Sequence, residues 1–220
     1  MNISINKEKI KVIRLGDKNY PESLKNIPDN PKVLYVLGNE RLLNEKSIAI
    51  VGCRKCTKYG AKNAYTFGYK LAQKGICVVS GLARGIDTYS HLGAIKVKEK
   101  AIAVVGSGLD EVYPKENIEL YKSILRSGGV IVSEYPLGTK PERYHFPQRN
   151  RIISGLSDGV IVVEAKKKSG TLITVDFALE QGKDVYAIPG NITSEYSYTT
   201  NELIKEGAIP ITSLDDLQIL

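Results

Sequence analysis

The chain has 220 residues, 42% of them apolar and 25% charged, with a formal net charge of +7. That balance excludes a largely disordered chain, and no apolar run approaches the roughly 20 residues of a membrane-spanning helix. The N-terminus, MNISINKEKIKVIRLG, lacks the apolar core of a signal peptide, so a cytoplasmic protein is expected.

Residues 1–46 read as an irregular lead-in whose apolar KVLYVLG segment should pack on or extend the main sheet. From residue 47 short apolar runs alternate with amphipathic stretches. SIAIVG precedes a helix over 59–74, ICVVS one over 86–97, and AIAVVG one over 117–126. GVIVS leads to a helix near 148–156, GVIVVEA to one near 171–181, and DVYAIPG to one near 200–206. Near-continuous Val/Ile strands are buried on both faces, the mark of a parallel sheet covered by helices. The expected fold is α/β: an extended Rossmann-like, doubly wound, mostly parallel sheet with helices on both faces. We expect one domain overall, the lead-in followed by a core over 47–220.

Four of these strands end in small residues, in VGCRKCTKYG, SGLARGID, GSGLDEVYP and KKKSGTLIT. In an open parallel sheet all four turns fall on the carboxyl edge, where ligands bind. Helices that start there offer unpaired amides and a positive dipole end, and glycine lets an anion approach the backbone. Tight turns alone would also explain any single glycine. Basic residues recur beside the loops, as Arg54, Lys55 and Lys58, Arg84, Arg143, Arg149 and Arg151, and Lys166 to Lys168. Together they favour a polyanionic partner carrying phosphates.

The segment RYHFPQRNRIISGLSDG adds an aromatic to the cations. Arg149, Asn150 and Arg151 are expected at the start of a helix, where guanidinium groups and terminal amides would jointly hold phosphates. Phe146 precedes them in a proline-containing loop, and an aromatic beside cations suits a single-stranded base and its backbone. Tyr113 and Tyr135 follow other strand ends and read equally as core or as stacking surface.

Named catalytic and cofactor motifs fit poorly. There is no dinucleotide fingerprint with its acidic partner, no P-loop and no nucleophile elbow, so no catalytic residue or cofactor is assigned. Cys53 and Cys56 form a C-x-x-C without a second ligand pair, and Cys77 reads as a small buried hydrophobe, so no metal is expected. Asp87 and His91, four apart on a helix, read as a helix-stabilising pair rather than as metal ligands.

The ordered series IAIVGCRKCTKYG, VVSGLARGIDTYSHLGAI, IAVVGSGLDEVYP, FPQRNRIISGLSDGVIVVEA and SGTLITVDFALEQGKDVYAIPGNI resembles the DNA-processing protein A family (DprA, also called Smf). The resemblance implies a homodimer that binds single-stranded DNA without sequence preference and delivers it to the RecA recombinase during natural transformation. It also implies that Arg54 holds a phosphate and that Gly81 to Gly85, with Arg84, line the same pocket. Phe146, Arg149, Asn150 and Arg151 would flank the DNA, and Ser169, Gly170 and Thr171 would close the pocket floor.

Two rival functions remain at this point. A phosphoribohydrolase of the LOG type shares the glycine-rich turn, but Thr174 stands where that motif needs its glutamate, with Glu164 or Asp87 as the available substitutes. A small-nucleotide sensor would bind mononucleotide tightly, whereas a strand binder gains affinity with length.

Overall fold

The computed structural model describes residues 9–218. The elements run β1 (Ile10–Arg14), α1 (Glu22–Lys25), β2 (Val33–Gly38), β3 (Ser47–Val51), α2 (Lys58–Gln73), β4 (Cys77–Ser80) and α3 (Ile86–Ala94). They continue with β5 (Ala101–Val105), α4 (Ile118–Arg126), β6 (Val130–Ser133), α5 (His145–Gly155) and β7 (Gly159–Val162). α6 (Thr171–Glu180), β8 (Asp184–Ala187), α7 (Tyr198–Lys205) and β9 (Ile209–Pro210) complete the series.

Among the described residues nine strands join one sheet in the order β1-β2-β6-β5-β4-β3-β7-β8-β9. The pairings from β6 through β9 are parallel, while β2 runs antiparallel to both β6 and β1. The expected mixed, mostly parallel α/β sheet is therefore observed. The lead-in contributes two of its strands. β2 is the expected KVLYVLG extension, whereas β1 has no counterpart among the strands expected from the sequence.

Alternation along each central strand sends side chains to opposite faces. Ile48 and Ile50 face one cluster with Phe67, Leu71, Ile86 and Ile124, so α2, α3 and α4 cover that side. Ala49 and Val51 face the other with Leu24, Ile152, Val175 and Leu203, beneath α1, α5, α6 and α7. Both faces are thus closed, which is why the strands could be uniformly apolar. Among the described residues no helix is long and apolar enough to cross a membrane.

Successive strands from β3 step away through β4, β5 and β6, then the chain returns to place β7 on the other side of β3. That reversal leaves a crevice beyond the carboxyl ends of β3 and β7.

Candidate nucleic-acid interface

A cleft of about 890 Å³ opens at this reversal. Its walls come from the β3 turn (Gly52 to Lys55), from the first turns of α5 (Phe146, Arg149, Asn150), and from the β7–α6 connection (Lys166 to Thr171). Seven of the residues expected at the site meet here: Arg54, Phe146, Arg149, Asn150, Ser169, Gly170 and Thr171. Gly81 and Arg84 border an adjoining recess that also touches Arg54, Tyr113 and Phe146.

The glycine turns are occupied by the protein itself. The Asp87 carboxylate accepts hydrogen bonds from the Gly81 and Ala83 amides at 3.1 and 3.3 Å. Glu164, buried just beyond β7, accepts from the Thr57 amide at 2.9 Å and from the Thr57 hydroxyl at 2.5 Å. Its carbonyl accepts from the Cys53 amide at 2.8 Å, fastening the β3 turn to the end of β7. Gly81 is also packed tightly: a Cβ there would sit 2.4 Å from Arg149 Nη2. Gly85, at φ +73°, would place a Cβ 2.3 Å from the Cys53 carbonyl. Two of the Gly81–Gly85 amides, those of Gly81 and Ala83, are therefore already bonded to an internal carboxylate, while Gly81, Ala83 and Arg84 still line the recess.

Arg149 is the central tie. Only 5% exposed, its guanidinium donates to the Gly81 carbonyl at 2.7 Å and also to the Val104 carbonyl, joining α5 to the ends of β4 and β5. Burial pulls its pKa down to about 10, with the neighbouring Asp87 charge pulling the other way. Burial pushes the Asp87 carboxyl up, opposed by Arg149 and the two amides. Asp87 does not pair with His91: the imidazole is fully buried, neither ring nitrogen has a hydrogen-bond partner among the described residues, and desolvation lowers it to about 3.

Arg151 corrects the sequence expectation most clearly. It is buried away from the cleft, with Nη2 2.7 Å from Glu134 Oε1 and Nε 2.8 Å from the Asp29 carbonyl, so it pins the lead-in to the core. α5 also begins at His145, placing Phe146 in its first turn and Arg149 to Arg151 further inside, away from the terminal amides. Proline is tolerated in a first helical turn, where an amide has no partner to lose.

The exposed groups make a different surface. Arg54 lies over the Phe146 ring, 5.4 Å from its centroid, and Tyr113 packs on the same ring at 5.5 Å. Among the described residues Arg54, Lys55, Arg143, Lys167 and Lys168 form no ion pair. Arg84 instead meets Glu116 at 2.6 Å, both side chains largely in water, where such a pair contributes little. Ser169 Oγ accepts from the Thr171 amide at 3.2 Å, shaping the start of α6, whose first turn lines the cleft. Lys55, Arg143, Lys167 and Lys168, read from the sequence as cations beside the loops, and Tyr113, read equally as core or stacking surface, also line the cleft. Cys53 also lines the cleft, its thiol pushed up to about 12 by burial and then by the Glu164 charge, the reverse of a reactive thiolate. Among the described residues no group of metal-ligating side chains assembles.

This geometry has close relatives. The model of the DNA recombination-mediator protein A family matches residues 11–219. The chain belongs to that family. It is 44% identical to the DNA processing protein DprA of Bacillus subtilis over 209 residues, covering 94% of this chain and 70% of that one. With Protein Smf of Escherichia coli it shares 44% identity, covering 90% of this chain but 53% of the relative. The X-ray structure of DNA processing protein A from Streptococcus pneumoniae superposes with a TM-score of 0.88 at 45% identity, over 95% of this chain and 73% of that one. The family member from Helicobacter pylori, described for its single-stranded DNA binding mode, superposes with a TM-score of 0.85 at 29% identity, over 98% and 95% of the two chains.

Proposed function

We propose that the cleft binds single-stranded DNA without regard to sequence. The observation that carries this reading is the set of unpaired, exposed cations around an aromatic pair, half-buried Phe146 and exposed Tyr113, with Arg54 resting on the Phe146 ring. Phosphate contacts give affinity without sequence information, and any base offers a π-face to an aromatic. The single-stranded DNA binding of the H. pylori relative supports the same reading. By family resemblance we further propose that the chain acts as a homodimer that protects the strand and passes it to the RecA recombinase.

Binding rather than hydrolysis is favoured by the carboxylates. Asp87 and Glu164, the candidates for a phosphoribohydrolase acid, both hold loop amides, and Thr174 is buried at the place of the missing glutamate.

The test is fluorescence anisotropy with a labelled homopyrimidine oligonucleotide at several salt concentrations, with duplex as competitor. Salt-sensitive binding that rises with length and resists duplex is expected. Equal affinity for a mononucleotide and a long oligomer would turn the cleft into a small-ligand site.

A further inference from the structure

The cationic wall of the cleft does not end at α6. Lys166 and Lys167 carry it toward the β8–α7 connection, where two tyrosines meet them. Lys166 Nζ lies 4.1 Å from the Tyr196 ring centroid, and Lys167 Nζ lies 5.3 Å from that of Tyr198. Both distances fall within cation–π range. The Lys166 ammonium is also bonded to Glu195 Oε1 at 2.6 Å, so that pair is internally neutralised. Lys167 forms no ion pair among the described residues, and Tyr198 is 44% exposed.

The two segments are strapped together. The Ala165 amide donates to the Tyr196 carbonyl at 2.9 Å, the Thr199 amide to the Ala165 carbonyl at 3.1 Å, and the Thr199 hydroxyl to the Lys166 carbonyl at 2.8 Å. Asn201 exchanges hydrogen bonds with the Gly190 backbone at 3.2 and 3.1 Å, holding the start of α7 against the end of β8. These bonds hold the backbone that carries the Tyr198 ring, so little chain ordering is needed when a base settles on it. An isolated surface tyrosine needs no explanation, but this one stands where a line of cleft-lining lysines ends.

We propose that Tyr198 and Lys167 form a second stacking station for the strand, distinct from the Arg54–Phe146–Tyr113 cluster. A base leaving the cleft stacks on the Tyr198 ring while Lys167 meets the phosphate before it. The proposal rests on the single-stranded DNA reading and assigns the direction in which the strand exits, over α7 rather than over the Arg84–Glu116 side, where the cation is already paired.

The experiment is an anisotropy titration of a homothymidine ladder, from dinucleotide upward, against the wild type, Tyr198→Ala, Tyr198→Phe and Lys167→Ala. Tyr198→Ala should leave the shortest oligomers unchanged and weaken the longer ones by about 5-fold to 150-fold, the range of one lost stacking contact. Tyr198→Phe should bind like the wild type, and Lys167→Ala, which also removes a cleft-lining charge, should lower the salt slope more for the longer oligomers than for the shortest. Full affinity of Tyr198→Ala at every length overturns the station while leaving the main reading intact. Equal weakening at all lengths also overturns it, assigning Tyr198 a structural role. Loss of length dependence in the wild type removes the reading on which the station rests.

Discussion

Around the ends of β4 and β5 the cleft's cation is Arg149, buried, bonded to two strand carbonyls and balanced by Asp87. Along the β3 turn and the β7–α6 connection the cations are Arg54, Lys55, Lys167 and Lys168, side chains open to water. The motifs richest in glycine and arginine turn out to build the inner region, which answers its own charges and fixes the shape of the loops. The charge open to water sits in the outer region, along the β3 turn and the β7–α6 connection. A glycine turn with a nearby arginine is thus a sign of close packing at the sheet edge before it is a sign of a bound phosphate.

The contrast can be broken at either end. The largest effect should come from the inner region: Arg149→Met leaves Asp87 buried beside loops that lost their tie. We expect a loss of about 3–5 kcal/mol of stability, measured by urea denaturation. If that variant keeps wild-type stability and loses only DNA affinity, Arg149 belongs to the outer group.

His91 gives a second inner test, through pH. Its imidazole falls from an ordinary 6.5 to about 3 on folding, so the unfolded chain takes up the proton first. This contribution is complete above pH 6.5 and is lost progressively as pH falls toward 3, amounting to about 2 kcal/mol by pH 5. Denaturation midpoints measured from pH 7 to pH 5 should show this decline, and His91→Met should flatten it. An equal decline in the variant would assign the pH dependence to other groups.

The smallest change in stability belongs to the outer region. Arg54→Ala should alter folding by no more than about 0.5 kcal/mol while reducing the salt slope of oligonucleotide binding by about one unit. A variant that unfolds at lower urea with an unchanged slope would place Arg54 among the structural arginines.

The sheet was legible because near-continuous Val and Ile runs have few alternatives to a doubly covered parallel sheet. Strand β1 was less so: IKVIR is short, half basic in its alternation, and lies at a sheet edge with little burial. The RNR segment shows why site residues are harder than folds. Residues two apart on a helix point about 200° away from one another, so Arg149 and Arg151 cannot share one ligand. Sequence displays them as a pair; the helix sends one to the cleft and the other to Glu134 and Asp29. Phe146 needed no such resolution, since an aromatic next to the proline at a helix start stays near the sheet edge wherever the helix begins.

The pairing of β2 with β6 also sets an order in time. β2 is made early and can meet β1 at once, but its other neighbour is synthesised only after β3, β4 and β5 have been completed. Until then the nascent chain carries an open strand edge and uncovered Leu34 and Val36 side chains. Release of the ribosome-bound chain before Val130 would therefore leave a sticky hairpin without its seat, and the emergence of β6 is the event that commits the N-terminal segment to the fold.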